Sequence, residues 1–227
     1  SPVAVALYAS ELRKAVTHPL VLLGAVGSFV CVPTVAVALT APEGLLRALQ
    51  LGQIFAVLIA MGAVGQEYES SSLRTSLLCS PQRLRLLSVK LTALATIVVG
   101  TAVGSMAIGS LALRVSAGEF GLPGPRSSLL AVFSWAGMSF VGAALAILGR
   151  SPVLPGAVLI PLILGLSQAF AAFLPAARFL PDQATFAVFV PEAKNVVDST
   201  VGTLVLLAWV LALVIPAGHL FNSRDVR

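Results

Sequence analysis

The sequence predicts an all-α integral membrane protein, a bundle of six transmembrane helices. Three observations carry that expectation. Of 227 residues, 58% are hydrophobic and 10% charged, whereas a soluble domain carries about 25% charged residues. The apolar residues gather in unbroken runs near the roughly 20 residues that a helix needs to cross a bilayer. The period-two alternation of a membrane β-barrel is absent.

Taken in chain order, residues 1–18 read as an amphipathic helix on the membrane surface. Val5, Tyr8, Leu12 and Val16 fall near helical spacing, while Ser10, Glu11, Arg13, Lys14 and Thr17 take other faces. The six spans are expected at 19–39, 49–65, 91–113, 127–148, 153–173 and 200–221, within one transmembrane domain covering 1–227. No small-residue cleavage site follows a short apolar core, so the first run is expected to stay as a span. The second span is the shortest, and its apolar pattern can begin as early as Leu45. Only "GRSP" separates the fourth and fifth spans, which predicts a tight helical hairpin. The 174–199 segment is long for a loop and carries Phe179, Leu180, Phe186, Val188 and Phe189. Such residues do not stay in water, so short re-entrant or interfacial helices broken at Pro175, Pro181 and Pro191 are expected there.

Charge sets the orientation. Nine basic residues (Arg13, Lys14, Arg74, Arg83, Arg85, Lys90, Arg150, Arg224 and Arg227) fall on one side and five (Arg47, Arg114, Arg126, Arg178 and Lys194) on the other. The richer side is predicted to be cytoplasmic, with both termini inside and the 174–199 segment outside. The net charge of +5 then reflects this bias, and no nucleic-acid partner is expected. Cys31 lies in an apolar run and Cys79 in a polar stretch, so no disulfide between them is expected. No Cys/His spacing resembles a metal site.

The 66–90 stretch is the longest polar segment, and "GQEYESSSLRTSLLCSPQRLRLLSVK" spans it from Gly65 to Lys90. Leu73, Leu77 and Leu78 share a helical face, and Glu67 and Glu69 sit where a helix would begin, at the positive end of its dipole. Ser80 and Pro81 form an N-cap and first-turn pair. From Pro81 the pattern runs as one helix into the third span, with Arg83 and Arg85 in the headgroup zone and Lys90 at the membrane edge, where Arg13 and Lys14 also belong. A plain basic loop would not need the acids or the leucine face, and connections longer than about 12–15 residues usually have a function.

This segment resembles the signature of type-2 ABC transporter permeases. The matching positions are Glu67, Tyr68, Leu73, Arg74, Leu77, Leu78, Pro81, Arg83 and Lys90; where the family often has Gly-Thr, this chain has Ser71-Ser72. The lead-in "ASELRKAVTHP" is similar to the family's N-terminal surface helix. The resemblance implies a permease subunit in the plasma (inner) membrane of a bacterium, paired with a second permease subunit. Separate ATPase subunits would dock on the cytoplasmic side at residues 67–80, the coupling element. It also implies no cofactor in this chain, with ATP and Mg held by the partner ATPase. The sequence has no G-x-x-x-x-G-K-[ST] phosphate loop, so the chain is not expected to be an enzyme.

Other residues are weighed against plainer roles. Gln53 and Gln168 are amides inside spans two and five; interhelical packing is favoured over cargo contact. No Asp, Glu, Lys or Arg lies deep in a predicted span, which speaks against a carrier driven by an intramembrane charge. Thr96, Gly100 and Gly104 form one row of small residues on span three, and Ser105 and Gly109 another; either row suits a subunit interface or internal packing. Pro33, Pro155, Pro161 and Pro216 fall within spans and are expected to kink them. Ser139 and His219 suggest a serine–histidine protease pair. Their predicted depths differ by roughly 10 Å, while a nucleophile and its base need about 3 Å.

Overall fold

The computed structural model describes residues 2–39, 44–65, 83–118, 121–193 and 196–223. All regular elements among them are helical. They are α1 (Pro2–Val16), α2 (Pro19–Leu39), α3 (Gly44–Ala63), α4 (Arg83–Ala117), α5 (Pro125–Gly149), α6 (Leu154–Pro161) and α7 (Ser167–Phe173), then α8 (Pro181–Ala184), α9 (Phe186–Phe189) and α10 (Ser199–Ser223). A π-helical turn, Leu162–Leu166, links α6 to α7, and a 3₁₀ turn, Pro175–Phe179, precedes α8.

Among the described residues, six segments are long and apolar enough to cross a membrane: Pro19–Leu39, Gly44–Ala63, Leu84–Ala117, Pro125–Gly149, Leu154–Phe173 and Ser199–Asn222. They match the six expected spans, with moved ends. The second starts at Gly44 rather than 49, because the polar-looking "GLLRALQ" buries Leu45, Leu46, Ala48 and Leu49. The third runs as one helix from Arg83 into the span, as the sequence pattern predicts, and passes the expected end at 113 to finish at Ala117. At 35 residues, α4 is about 52 Å long by its rise per residue, well beyond a hydrocarbon core of about 30 Å.

Helices α3 and α5 form the centre. Of their apolar windows 61% and 67% are buried, against 22% for the α6–α7 span and 11% for α10. The last two spans therefore turn most of their side chains outward, and the exposed row Val201, Leu204, Leu211 and Ile215 on α10 is of the kind that lipid tails cover. Trp135 anchors the middle: it is fully buried, and its indole N–H donates to the Leu49 carbonyl at 3.0 Å. The link between α5 and α6 is the expected hairpin. Arg150 takes a left-handed conformation (φ 49°, ψ 35°) and its N–H bonds the Ala146 carbonyl, which closes the helix.

The segment after α7 is folded rather than extended. Pro175 and Pro181 open its short helices instead of breaking them, as a residue without an N–H suits a first turn. Phe189 is fully buried in the same core as Trp135, and Val188 is buried beside it. Phe179, expected to be covered, keeps 40% of its surface exposed. Helix α8 lies hard against α10 at Gly202, where a Cβ would stand 1.6 Å from the Ala184 carbonyl oxygen.

The proline expectations divide. Pro33 and Pro216 lie inside α2 and α10. Pro155 falls in the first turn of α6, where it starts the helix. Pro161 keeps helical angles (φ −60°, ψ −36°), and the break in span five falls at Gly165 instead, with φ 127° and ψ −2°. A side chain there would meet no atom within 4 Å. Glycine is required by the backbone angle and not by space.

Gly202→Ala should therefore dislodge α8 from α10 at a cost of about 1–3 kcal/mol or more, read as a lower melting temperature in lipid nanodiscs. Gly100→Ala, where a Cβ meets nothing within 4 Å, should leave the same chain unchanged or slightly more stable.

Candidate functional site

Helix formation in α1 is ordinary, with no internal proline or glycine and Arg13 and Lys14 in its last turn, where cations favour the helix dipole. Its burial is not what the apolar spacing suggests. Leu7, Glu11 and Ala15 form the covered row, one turn apart each, with Tyr8 and Leu12 half-buried beside them. Val5 and Val16, expected on the apolar face, are exposed. Glu11, expected on a polar face, points into the protein.

The reason is Lys90. Its ammonium lies 2.5 Å from a Glu11 carboxylate oxygen, and the two residues are 3% and 7% exposed. Three residues earlier on α1, the Tyr8 hydroxyl donates to Thr96 Oγ1 at 2.8 Å. Position 8 meets 96 and position 11 meets 90, so α1 runs antiparallel along the head of α4. A buried ion pair adds little net stability, because desolvation offsets the attraction. Its asymmetry matters more: either charge left alone there is strongly unfavourable. The pair fixes the register of α1 on α4. At the end of α1, His18 Nδ1 accepts the Leu20 N–H at 3.2 Å and so satisfies one of the free donors that open α2. Burial holds the His18 imidazole below its ordinary pKa.

Beside this end of α4 a cleft of about 380 Å³ opens towards α10. Leu84, Leu91 and Ile215 line it, with Ser88, His219 and Asn222 as its polar members. The protease pair is not assembled: Ser139 is fully buried and donates to the carbonyl of Ala136 on its own helix at 2.7 Å, away from that cleft.

The other expected residues are distributed as follows. Glu67, Tyr68, Leu73, Arg74, Leu77, Leu78 and Pro81 lie outside the described residues, as does Cys79. Arg83 opens α4. Arg13 and Lys14 are exposed. Cys31 is free and exposed on α2. Gln53 is 1% exposed and its amide nitrogen has no hydrogen-bond partner, whereas Gln168 is exposed on α7, so the two amides do not form one site. The small-residue rows separate. Gly109 is buried against Leu45 and Pro33, Gly104 packs against the Phe29 ring, and Ser105 donates to Ser28 at 3.1 Å, all within this chain. Gly100 stays exposed.

A second polar cluster was not foreseen. Asp182 and Gln183 of α8 are buried and meet the buried hydroxyl of Ser167, the first residue of α7. The sequence carried one signal for it, an acid and an amide directly after a proline within an apolar stretch.

The chain matches no family model, no curated protein and no solved structure.

Removing one member of the buried pair, by Glu11→Leu or Lys90→Met, should cost about 3–5 kcal/mol. The double replacement should recover most of that loss. Thermal melts of the four proteins in nanodiscs give the coupling directly, and additive losses would show that the two charges do not act as a pair.

Proposed function

We propose that this chain is the transmembrane permease subunit of an ATP-driven ABC exporter, working with a second permease subunit and with ATPase subunits on the cytoplasmic face. The observation that carries the reading is the placement of α4. It begins at Arg83, directly after the segment that resembles the family's coupling motif, and continues unbroken for 35 residues through a full span. The Glu11–Lys90 pair ties α1 to its head. A helix of that length, braced at one end, moves as a lever. Closure of the ATPases would push on residues 67–80, and α4 would carry that displacement through the bilayer.

In this reading the two termini and residues 66–90 face the cytoplasm, α1 lies at the membrane surface with Val5 and Val16 towards lipid, and residues 174–199 form a re-entrant element on the outer side. The bundle alternates between inward- and outward-open forms as the spans rock about the subunit interface. The predominantly apolar spans suit a hydrophobic or amphipathic cargo: a drug-like molecule, a peptide or a lipid. ATP and Mg belong to the partner subunits.

A non-transporting scaffold or sensor needs no ATPase. A secondary carrier needs a charge in the membrane domain, and Asp182, buried against the fifth span, is a specific observation in its favour.

Co-expression with candidate ATPase chains from the same cell and gentle purification separates these readings. A permease should retain an ATPase and stimulate its hydrolysis, and changing Arg74 and Leu77 to Glu should abolish both. A chain that recruits no ATPase, and whose proteoliposomes show cargo movement driven by a pH gradient alone, is a carrier. One that does neither is a scaffold.

A further inference from the structure

Span five is broken at Gly165, inside the π-helical turn Leu162–Leu166. Backbone carbonyls beside such a break gain from a further donor. Ser167 supplies one: its hydroxyl lies 2.9 Å from the Leu162 carbonyl, five residues back. The same hydroxyl oxygen contacts Asp182 Oδ2 at very short range and lies 3.1 Å from Gln183 Nε2. Ser167 is fully buried, and Asp182 and Gln183 are each less than a tenth exposed.

Protons can be counted at this oxygen. A serine hydroxyl has one hydrogen to give and two lone pairs to receive with. The Leu162 carbonyl can only accept, and the Gln183 amide nitrogen can only donate. If the hydroxyl donates to Leu162, an ionised Asp182 has no hydrogen between it and Ser167, and two oxygens meet lone pair to lone pair. If it donates to Asp182, the Leu162 carbonyl has lost this donor. One arrangement satisfies every contact: a neutral carboxylic acid donates from Oδ2 to Ser167, Gln183 donates to the second lone pair, and Ser167 donates to Leu162.

The surroundings agree. The other carboxyl oxygen, Oδ1, is buried without a hydrogen-bond partner, which is far less costly for the C=O of a neutral acid than for an anion. The elements packed against α8 are the 3₁₀ turn, α7, α9 and α10. Of these, α7 and α9 carry no charged side chain. Arg178 of the 3₁₀ turn is exposed and sits 5.0 Å over the Phe179 ring. His219 of α10 lines the cleft with α4 instead. Asp198, just ahead of α10, is exposed, bonds the Thr200 N–H and interacts with Arg126. No ion pair to Asp182 occurs among the described residues. Burial pushes the Asp182 carboxyl above its ordinary value, against the smaller opposing effect of its hydrogen bonds to Ser167 and nearby backbone.

We propose that Asp182 is a proton-binding site, and that the bound proton staples the 174–190 segment to the break in span five through Ser167. Loss of the proton to bulk water leaves a buried anion facing a lone pair and releases the segment from the break. The staple stands independently of any ATPase partner. Because the acid is retained in the closed form and ionises readily in the open one, pH acts in one direction. Closure is strongest below the ordinary carboxyl value of 3.8. It weakens by up to about tenfold per pH unit above that, until the closed form also loses its proton.

The test uses the full chain in lipid nanodiscs. Infrared spectra should contain the C=O band of a protonated carboxylic acid at pH above the ordinary carboxyl value of 3.8; the band should fade on raising the pH further and be missing in Asp182→Asn. In hydrogen exchange, opening of residues 162–190 in the wild type should rise with pH by up to about tenfold per unit relative to Asp182→Asn at the same pH. The asparagine variant keeps a neutral donor to Ser167, so it should hold the segment closed at every pH. Absence of the acid band, or a variant whose exchange follows the wild type, overturns the proposal. So does closure that depends on sodium or potassium concentration and not on pH, which would make the ligand a cation. Should the variant fail to fold, the wild-type infrared titration decides by itself.

Discussion

A backbone placed in hydrocarbon must satisfy its own polar groups, and this protein is organised by that constraint. Six apolar helical segments, five of them continuous, answer it over most of the described residues. Where side chains carry polar atoms into the interior, they bond back to nearby carbonyls: Ser134 to Leu130, Ser139 to Ala136 and Thr101 to Ile97. Where a helix ends or breaks, a specific side chain takes over. His18 does so at the head of α2 and Ser167 at the break in span five. The functional candidates of the molecule are the places where this rule is met by tertiary contacts instead of by a helix alone.

Two such places stand out, and they are built on opposite electrostatic solutions. Lys90 and Glu11 bury two charges against each other, which locks one helix in register on another. Asp182 is buried with no ion pair among the described residues, and in the proposal above it is satisfied as a neutral acid. The first arrangement holds α1 in register on α4 and serves as a brace. The second changes state with a single proton. A bundle with a rigid head on α4 and a proton-dependent joint in span five has a fixed part and a movable part.

The distribution of burial fits such a division. Helices α3 and α5 hold Leu45, Leu49, Ile59, Trp135 and Met138 out of contact with the surroundings, and α2 and α4 pack on them. The α6–α7 span and α10 are attached more lightly, and they frame the α8–α9 segment. Gly202 allows α10 to approach α8 so closely that their backbones touch. In the proposal for Asp182, the α8–α9 segment is a docked unit that Ser167 fastens at the Gly165 break.

The sequence by itself determined the all-helical class, the number of candidate spans and the tight turn at Arg150, because apolar run length and turn residues are local quantities. It also showed that Val188 and Phe189 could not lie in water, since their chemistry is independent of their neighbours. Only the tertiary structure decided which face of α1 is buried. The Val5–Val16 row is the more apolar, yet the row through Glu11 is the one that faces the protein, and that choice rests on a lysine 79 residues away from Glu11. The structure also decided that Gly165 and not Pro161 breaks span five, because both residues permit a break and only packing selects one. The same holds for Asp182. Its burial depends on a segment folding back onto a helix that the chain had already completed.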